Sequence, residues 1–121
     1  MNVSLVIVAA VLLSVAAPGA LAQPQWKYVG SLGQRQLVVV EASAATDTDL
    51  LKQAAAVTCV PDQPCVVAFW SDAAAVPSVM PMSAAQQQAI VAQYLRNPKS
   101  GIEELLLKCG SGNSSSGKCL H

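Results

Sequence analysis

The spacing of apolar residues changes character several times along the chain. Residues 3–17 are apolar apart from Ser4 and Ser14, and the block stops at Pro18-Gly19. Trp26-Lys27-Tyr28-Val29 then alternates, which predicts a half-buried strand with Trp26 and Tyr28 on one face. After the turn-forming Gly30-Ser31-Leu32-Gly33, the run Gln36–Glu41 is continuous and β-branched, as in a strand covered on both sides. The short gap between the two strands favours an antiparallel hairpin.

A helical period follows. Thr46 or Asp47 can cap a helix whose first turn holds Asp49, with Leu50, Leu51, Ala54 and Val57 at helical spacing. Pro61 sets its end near Thr58-Cys59. Cys65–Trp70 is a second continuous apolar run and predicts the central strand, parallel to the preceding one across the helical crossover. Residues 73–82, with Pro77 and Pro81, predict an irregular excursion. Ser83 and Gln86 match a capping box for a helix buried through Ile90, Val91, Tyr94 and Leu95. Ser100 and Glu103 match a second box for a short helix carrying Ile102, Leu105 and Leu106, stopped at Gly110. The expected fold is a small α/β (α+β) domain in the order strand, strand, helix, strand, helix, helix, around a three-stranded mixed sheet.

The first block ends in Ala20-Leu21-Ala22, the small-x-small pattern of a signal-peptidase site, although no Lys or Arg precedes it. Residues 1–22 are therefore expected to be a cleaved signal peptide, an uncleaved anchor being the alternative. Residues 23–110 would form one domain, and residues 111–121 a Gly/Ser tail tethered by Cys119. Export implies the periplasm or the extracellular space, where Cys59, Cys65, Cys109 and Cys119 can pair. Among three possible connectivities, loop entropy favours long bridges, worth about 4 kcal/mol against about 2.4 and 2.8 for the local pairs. Pro61 and Pro64 flank a compact loop, and the Gly/Ser tail can fold back. These features favour Cys59–Cys65 with Cys109–Cys119.

Composition narrows the chemistry. Seven basic and seven acidic residues balance, and the cations form no run, which argues against nucleic acid and membrane surfaces as partners. The cysteines have five and nine residues between them, too far apart for the pairs of a four-thiolate zinc site, and no Cys-x-x-Cys is present. Met80 and Met82 are soft ligands for Cu(I) but lack a third donor; loop packing is the simpler role. His121, the only histidine, is expected to be solvated. Asn113-Ser114-Ser115 fits a glycosylation acceptor in a eukaryotic host. No cofactor and no metal are expected, and the domain is expected to be monomeric.

Two further readings arise from position. Glu41 and Asp72 follow the ends of the two parallel strands, where α/β sheets bind ligands and where paired carboxylates could serve a hydrolase. Trp70, Ser71, Asp72, Val79, Met80 and Met82 lie on or beside an excursion too apolar for a linker, and they predict a surface for a protein or small ligand. A non-enzymatic binding module is the leading expectation, ahead of the hydrolase and of a structural envelope protein.

Overall fold

A computed structural model describes residues 25–110 and 118–121. The expected signal peptide and most of the Gly/Ser tail, including Asn113, lie outside the described residues. Five strands form one sheet in sequential order: β1 (Trp26–Leu32), β2 (Arg35–Val40), β3 (Cys65–Trp70), β4 (Ile90–Asn97) and β5 (Ile102–Leu107). All neighbours are antiparallel except β2 and β3, which run parallel across the helix α1 (Thr48–Thr58). The molecule is thus a mixed α+β fold stapled by two disulfides, with β3 at the centre of the sheet.

Local chemistry accounts for the first half. Gly33, at φ 60, takes the first central position of a two-residue turn between Leu32 and Arg35, where a side chain would be strained. Asp47 caps α1 by accepting a hydrogen bond from Leu50 N at 3.1 Å. Replacing Asp47 with alanine is expected to lower the unfolding free energy by about 1 kcal/mol, measured by urea titration. Leu51, Ala54 and Ala55 bury against the sheet, while Val57, assigned to the buried stripe by its spacing, is 73% exposed. At 100° per residue Val57 is rotated well away from the Leu51–Ala55 line, so three-residue spacing alone misplaced it.

The second half differs from expectation. The capping box at Ser83 and Gln86 forms, with bonds of 3.1 and 2.8 Å, but its helix α2 (Ala84–Gln88) ends after five residues. The chain then enters β4, not a longer helix, and the expected helix after Ser100 is β5. Ala92 and Tyr94 alternate as buried residues on β4, as do Leu105 and Leu107 on β5, while Ile90 is buried on the opposite side, beyond an irregularity in the β3–β4 register. Their link is a tight hairpin, Asn97 opposite Ile102, with Gly101 at φ 71. Asn97 Oδ1 accepts from Lys99 N at 3.1 Å, and Ser100 Oγ donates to Asn97 O. Ser100 therefore serves this turn and no capping box. The sheet has five strands, not three.

The core has two sides. On one, α1 covers Val38, Val40, Val67, Phe69, Ala92, Tyr94, Leu105 and Leu107. On the other, Leu37, Ala68, Trp70 and Ile90 are covered by Ala75, Val76 and Met82 from the excursion, by Ala89 at the end of α2 and by Leu120 from the chain end. This second cover seats the excursion from which Val79 and Met80 project.

Candidate functional site

The parallel pairing of β2 with β3 sets Val39 opposite Trp70, so Glu41 and Asp72 leave the sheet at matching positions. Their environments differ. Asp72 Oδ1 accepts from Ala74 N at 2.9 Å and caps a 3-10 turn, Ala73–Ala75. Glu41 is exposed and its amide donates to Gln25 O at 2.9 Å. Glu41 and Ser71 line a shallow cavity of about 280 Å³ together with Trp26 and Lys27. One carboxylate is thus committed to holding the start of the excursion, and the other meets solvent. Asp72→Ala should cost about 1 kcal/mol of stability, as loss of a cap does, and calorimetry of the variant measures it.

The excursion itself is firmly seated. Trp70 is fully buried and its indole Nε1 donates to Gln86 O at 2.9 Å, joining β3 to α2. Burial removes Trp70 from the expected contact surface and makes it the floor on which that surface stands. Pro77 is buried and Met82 half-buried; the Arg35 guanidinium approaches the Met82 sulfur at 4.0 Å. Between these anchors Val79 and Met80 project, 69% and 56% exposed, ahead of a cis Met80-Pro81 bond. Beside their base a cavity of about 280 Å³ opens between β1 and the excursion, lined by Val29, Leu32, Val76, Pro77 and Ser78. Val29 is the bulged residue of β1 and is itself about half exposed. The bulge turns an apolar side chain outward next to the projecting tip.

Two other features escaped sequence reasoning. A groove of about 360 Å³ runs between β1 and α1, lined by Trp26, Tyr28, Val57 and Thr58. The alternation of Trp26 and Tyr28 placed both on one face, but the exposure of Val57 was needed to complete the groove. The end of the chain also returns to the sheet. Leu120 N donates to Leu107 O at 2.9 Å and Cys109 N to Leu120 O at 2.8 Å, making a short parallel bridge. His121 is exposed, yet its Nδ1 lies 3.7 Å from Cys109 Sγ. No spacing rule anticipates this, because the contact depends on where Leu120 docks.

Both disulfides join local pairs. Cys59 bonds to Cys65 with Cα atoms 5.8 Å apart, and Cys109 to Cys119 with Cα atoms 4.9 Å apart. The first pair is buried in the main core, between the end of α1 and the start of β3.

The perturbed titratable group lies away from these surfaces. Burial pushes the Tyr94 phenol above its ordinary value of 10.0, and its 3.0 Å hydrogen bond to Glu103 and the negative charge there push the same way. Arg96 opposes them. Because the folded state holds this proton more tightly, the stabilisation is complete below pH 10 and is lost as pH rises through the higher folded value. Tyr94→Phe should flatten the alkaline decline in stability, measured by urea unfolding between neutral pH and pH about 11.

Together these features define a small disulfide-stapled α+β domain suited to an oxidising compartment. Among the described residues, no helix is long and apolar enough to cross a membrane. No protein-family model, curated protein or solved structure matches the chain.

Proposed function

We propose that this chain is an exported, non-enzymatic binding domain whose contact surface is the Val79–Met82 tip with the cavity at its base. The observation that carries the proposal is the pairing of exposed apolar residues with a rigid mount. Val79 and Met80 are open to solvent, while Trp70, Pro77 and Met82 fasten both flanks of the loop. Single exposed apolar residues are ordinary, but here Val79 and Met80 stand beside the half-exposed Val29 and the cavity it lines, and grouped apolar exposure of this kind is what an interaction surface presents. A projecting tip beside a small cavity suits a protein partner, which can receive Met80 and insert a side chain of its own. Ser71 and Asp72 then form the polar rim at the start of the excursion.

Export is part of the proposal. It rests on the apolar block before Ala22 and on the two disulfides, which need an oxidising compartment to persist.

The test is site-specific photocrosslinking in cells that make the protein, with the photoreactive residue at position 79 or 80 and a control at Gln53 on the exposed face of α1. A discrete adduct from the tip, absent from the control and reduced by Met82→Ala, is expected. Equal labelling from position 53, or no adduct from the tip, removes this surface from consideration.

The hydrolase reading keeps the matching positions of Glu41 and Asp72 as its support. The cap formed by Asp72 counts against it, because a carboxylate bonded to Ala74 N must give up that bond to act on a substrate.

A further inference from the structure

We propose that Cys109, Cys119 and His121 form a redox-gated metal site: a disulfide staple when oxidised, and a three-ligand set for a Zn²⁺-class ion when reduced. The ligand atoms of the three residues already lie within 4.8 Å of one another. A tetrahedral ion with Zn–S near 2.3 Å and Zn–N near 2.0–2.1 Å requires an S···N separation of about 3.6 Å and an S···S separation of about 3.8 Å. The observed Cys109 Sγ to His121 Nδ1 distance is 3.7 Å, so that edge of the tetrahedron is in place before any metal arrives. The remaining change is the parting of the two sulfurs once their bond is broken, which side-chain rotation can supply.

The docked chain end brings the ligands together independently of the sulfur–sulfur bond. Leu120 sits between two of them in sequence, and its paired hydrogen bonds to Leu107 and Cys109 do not involve the sulfurs. Its side chain packs with Leu37, Ala68, Trp70 and Ile90. Reduction removes the covalent link and lets the chain end open more often, but whenever Leu120 is docked these contacts again set Cys119 and His121 beside Cys109. The Cys59–Cys65 pair contrasts with it, being buried in the main core and remote in role from any imidazole, since His121 is the only histidine in the chain.

A dithiol reductant delivers two electrons and two protons to the Cys109–Cys119 bond and leaves as its own disulfide, giving two thiols. Metal binding then displaces the two thiol protons to solvent, and two thiolates with a neutral imidazole hold the ion. Water fills the fourth position, as in sites that keep one coordination position open.

Co²⁺ is the probe, because its thiolate complexes absorb in the near ultraviolet. The intact chain is titrated with Co²⁺ before and after treatment with a phosphine, used in place of a dithiol because dithiols chelate metals themselves. Peptide mapping reports which bridge has opened. The reduced chain is expected to bind one Co²⁺ with a thiolate charge-transfer band that Zn²⁺ abolishes, and the oxidised chain to bind none. His121→Ala should weaken binding at least about tenfold, since removing even an outer-shell partner costs 10–100-fold. Three results overturn the proposal. One is a reduced chain without the band. Another is a band that survives in Cys109→Ser/Cys119→Ser, which assigns the sulfurs to the other pair. The third is unchanged affinity in His121→Ala.

Discussion

Trp70→Ala is expected to destabilise the domain by about 3–5 kcal/mol, a large share of the 5–15 kcal/mol typical of a whole domain. Trp70 is among the largest fully buried side chains, and it supports Leu37, Ala68 and Ile90 on the face away from α1. Its truncation opens a cavity there and leaves the Gln86 carbonyl without its indole donor. Trp70→Phe keeps most of the volume and loses only that bond, so its cost should be nearer 1–3 kcal/mol. Urea titration followed by circular dichroism separates the two variants, and a midpoint for Trp70→Ala equal to the parent's contradicts the packing described. Val79→Ala supplies the contrast. It removes atoms already in water, so stability should stay within about 0.5 kcal/mol while partner binding falls. Trp70 and Val79 are thus separable: one holds the excursion, the other is what the excursion presents.

The first half of the fold was legible because each element carries an unambiguous signal. The β-branched run of β2, the Asp47 cap of α1 and the apolar run of β3 each fit one structure only, and a short helix between two buried strands dictates parallel pairing. The second half was misread where two periods coincide. Ile90, Val91, Tyr94 and Leu95 fit a helical stripe, while on the strand Ala92 and Tyr94 face α1 and Ile90, across a register irregularity, packs with Trp70 on the other side. Ala92 carries too little hydrophobic weight to reveal that alternation, and the preceding Gln-rich capping box biased the choice towards a long helix. In β5 three consecutive leucines hide which two face the core. The correcting signal was Asn97-Pro98 with Gly101, a turn that a helix–helix link does not need. An α-helix over Ile90–Asn97 would also leave β3 without its second neighbour, exposing the ladder groups of the most buried strand.

The excursion was legible in outline, since prolines and apolar residues together marked it. Its interior arrangement was not. Whether Trp70 points to solvent or to the core depends on the side of the sheet covered by residues 75–89, a tertiary fact with no local signature. The same holds for Glu41 and Asp72: sequence set them at matching strand ends, but only the bond to Ala74 shows that Asp72 already has a partner.

Removing the Cys59–Cys65 bridge is expected to cost more than removing Cys109–Cys119, the reverse of the ranking by loop length. On the loop-entropy model the seven-residue loop is worth about 2.4 kcal/mol and the eleven-residue loop about 2.8. That model assumes the native state must keep both ends in place. For Cys59 and Cys65 it must, because the end of α1 and the start of β3 meet in the main core and neither can leave without dismantling it. The double variant Cys59→Ala/Cys65→Ala therefore bears the full entropic loss plus the packing lost by two buried sulfurs, about 3 kcal/mol together. The chain end has an alternative. Without its bridge, residues 118–121 can peel from the sheet while five strands and α1 stay folded, so the cost is capped at what docking the half-buried Leu120 contributes, about 1–2 kcal/mol. Thermal unfolding of the two double variants tests the order. Hydrogen exchange at the Leu120 amide tests the mechanism: in Cys109→Ala/Cys119→Ala it should accelerate while Val67 and Phe69 in β3 keep their protection. Parallel acceleration at all three would mean that the tail and the core unfold as one unit.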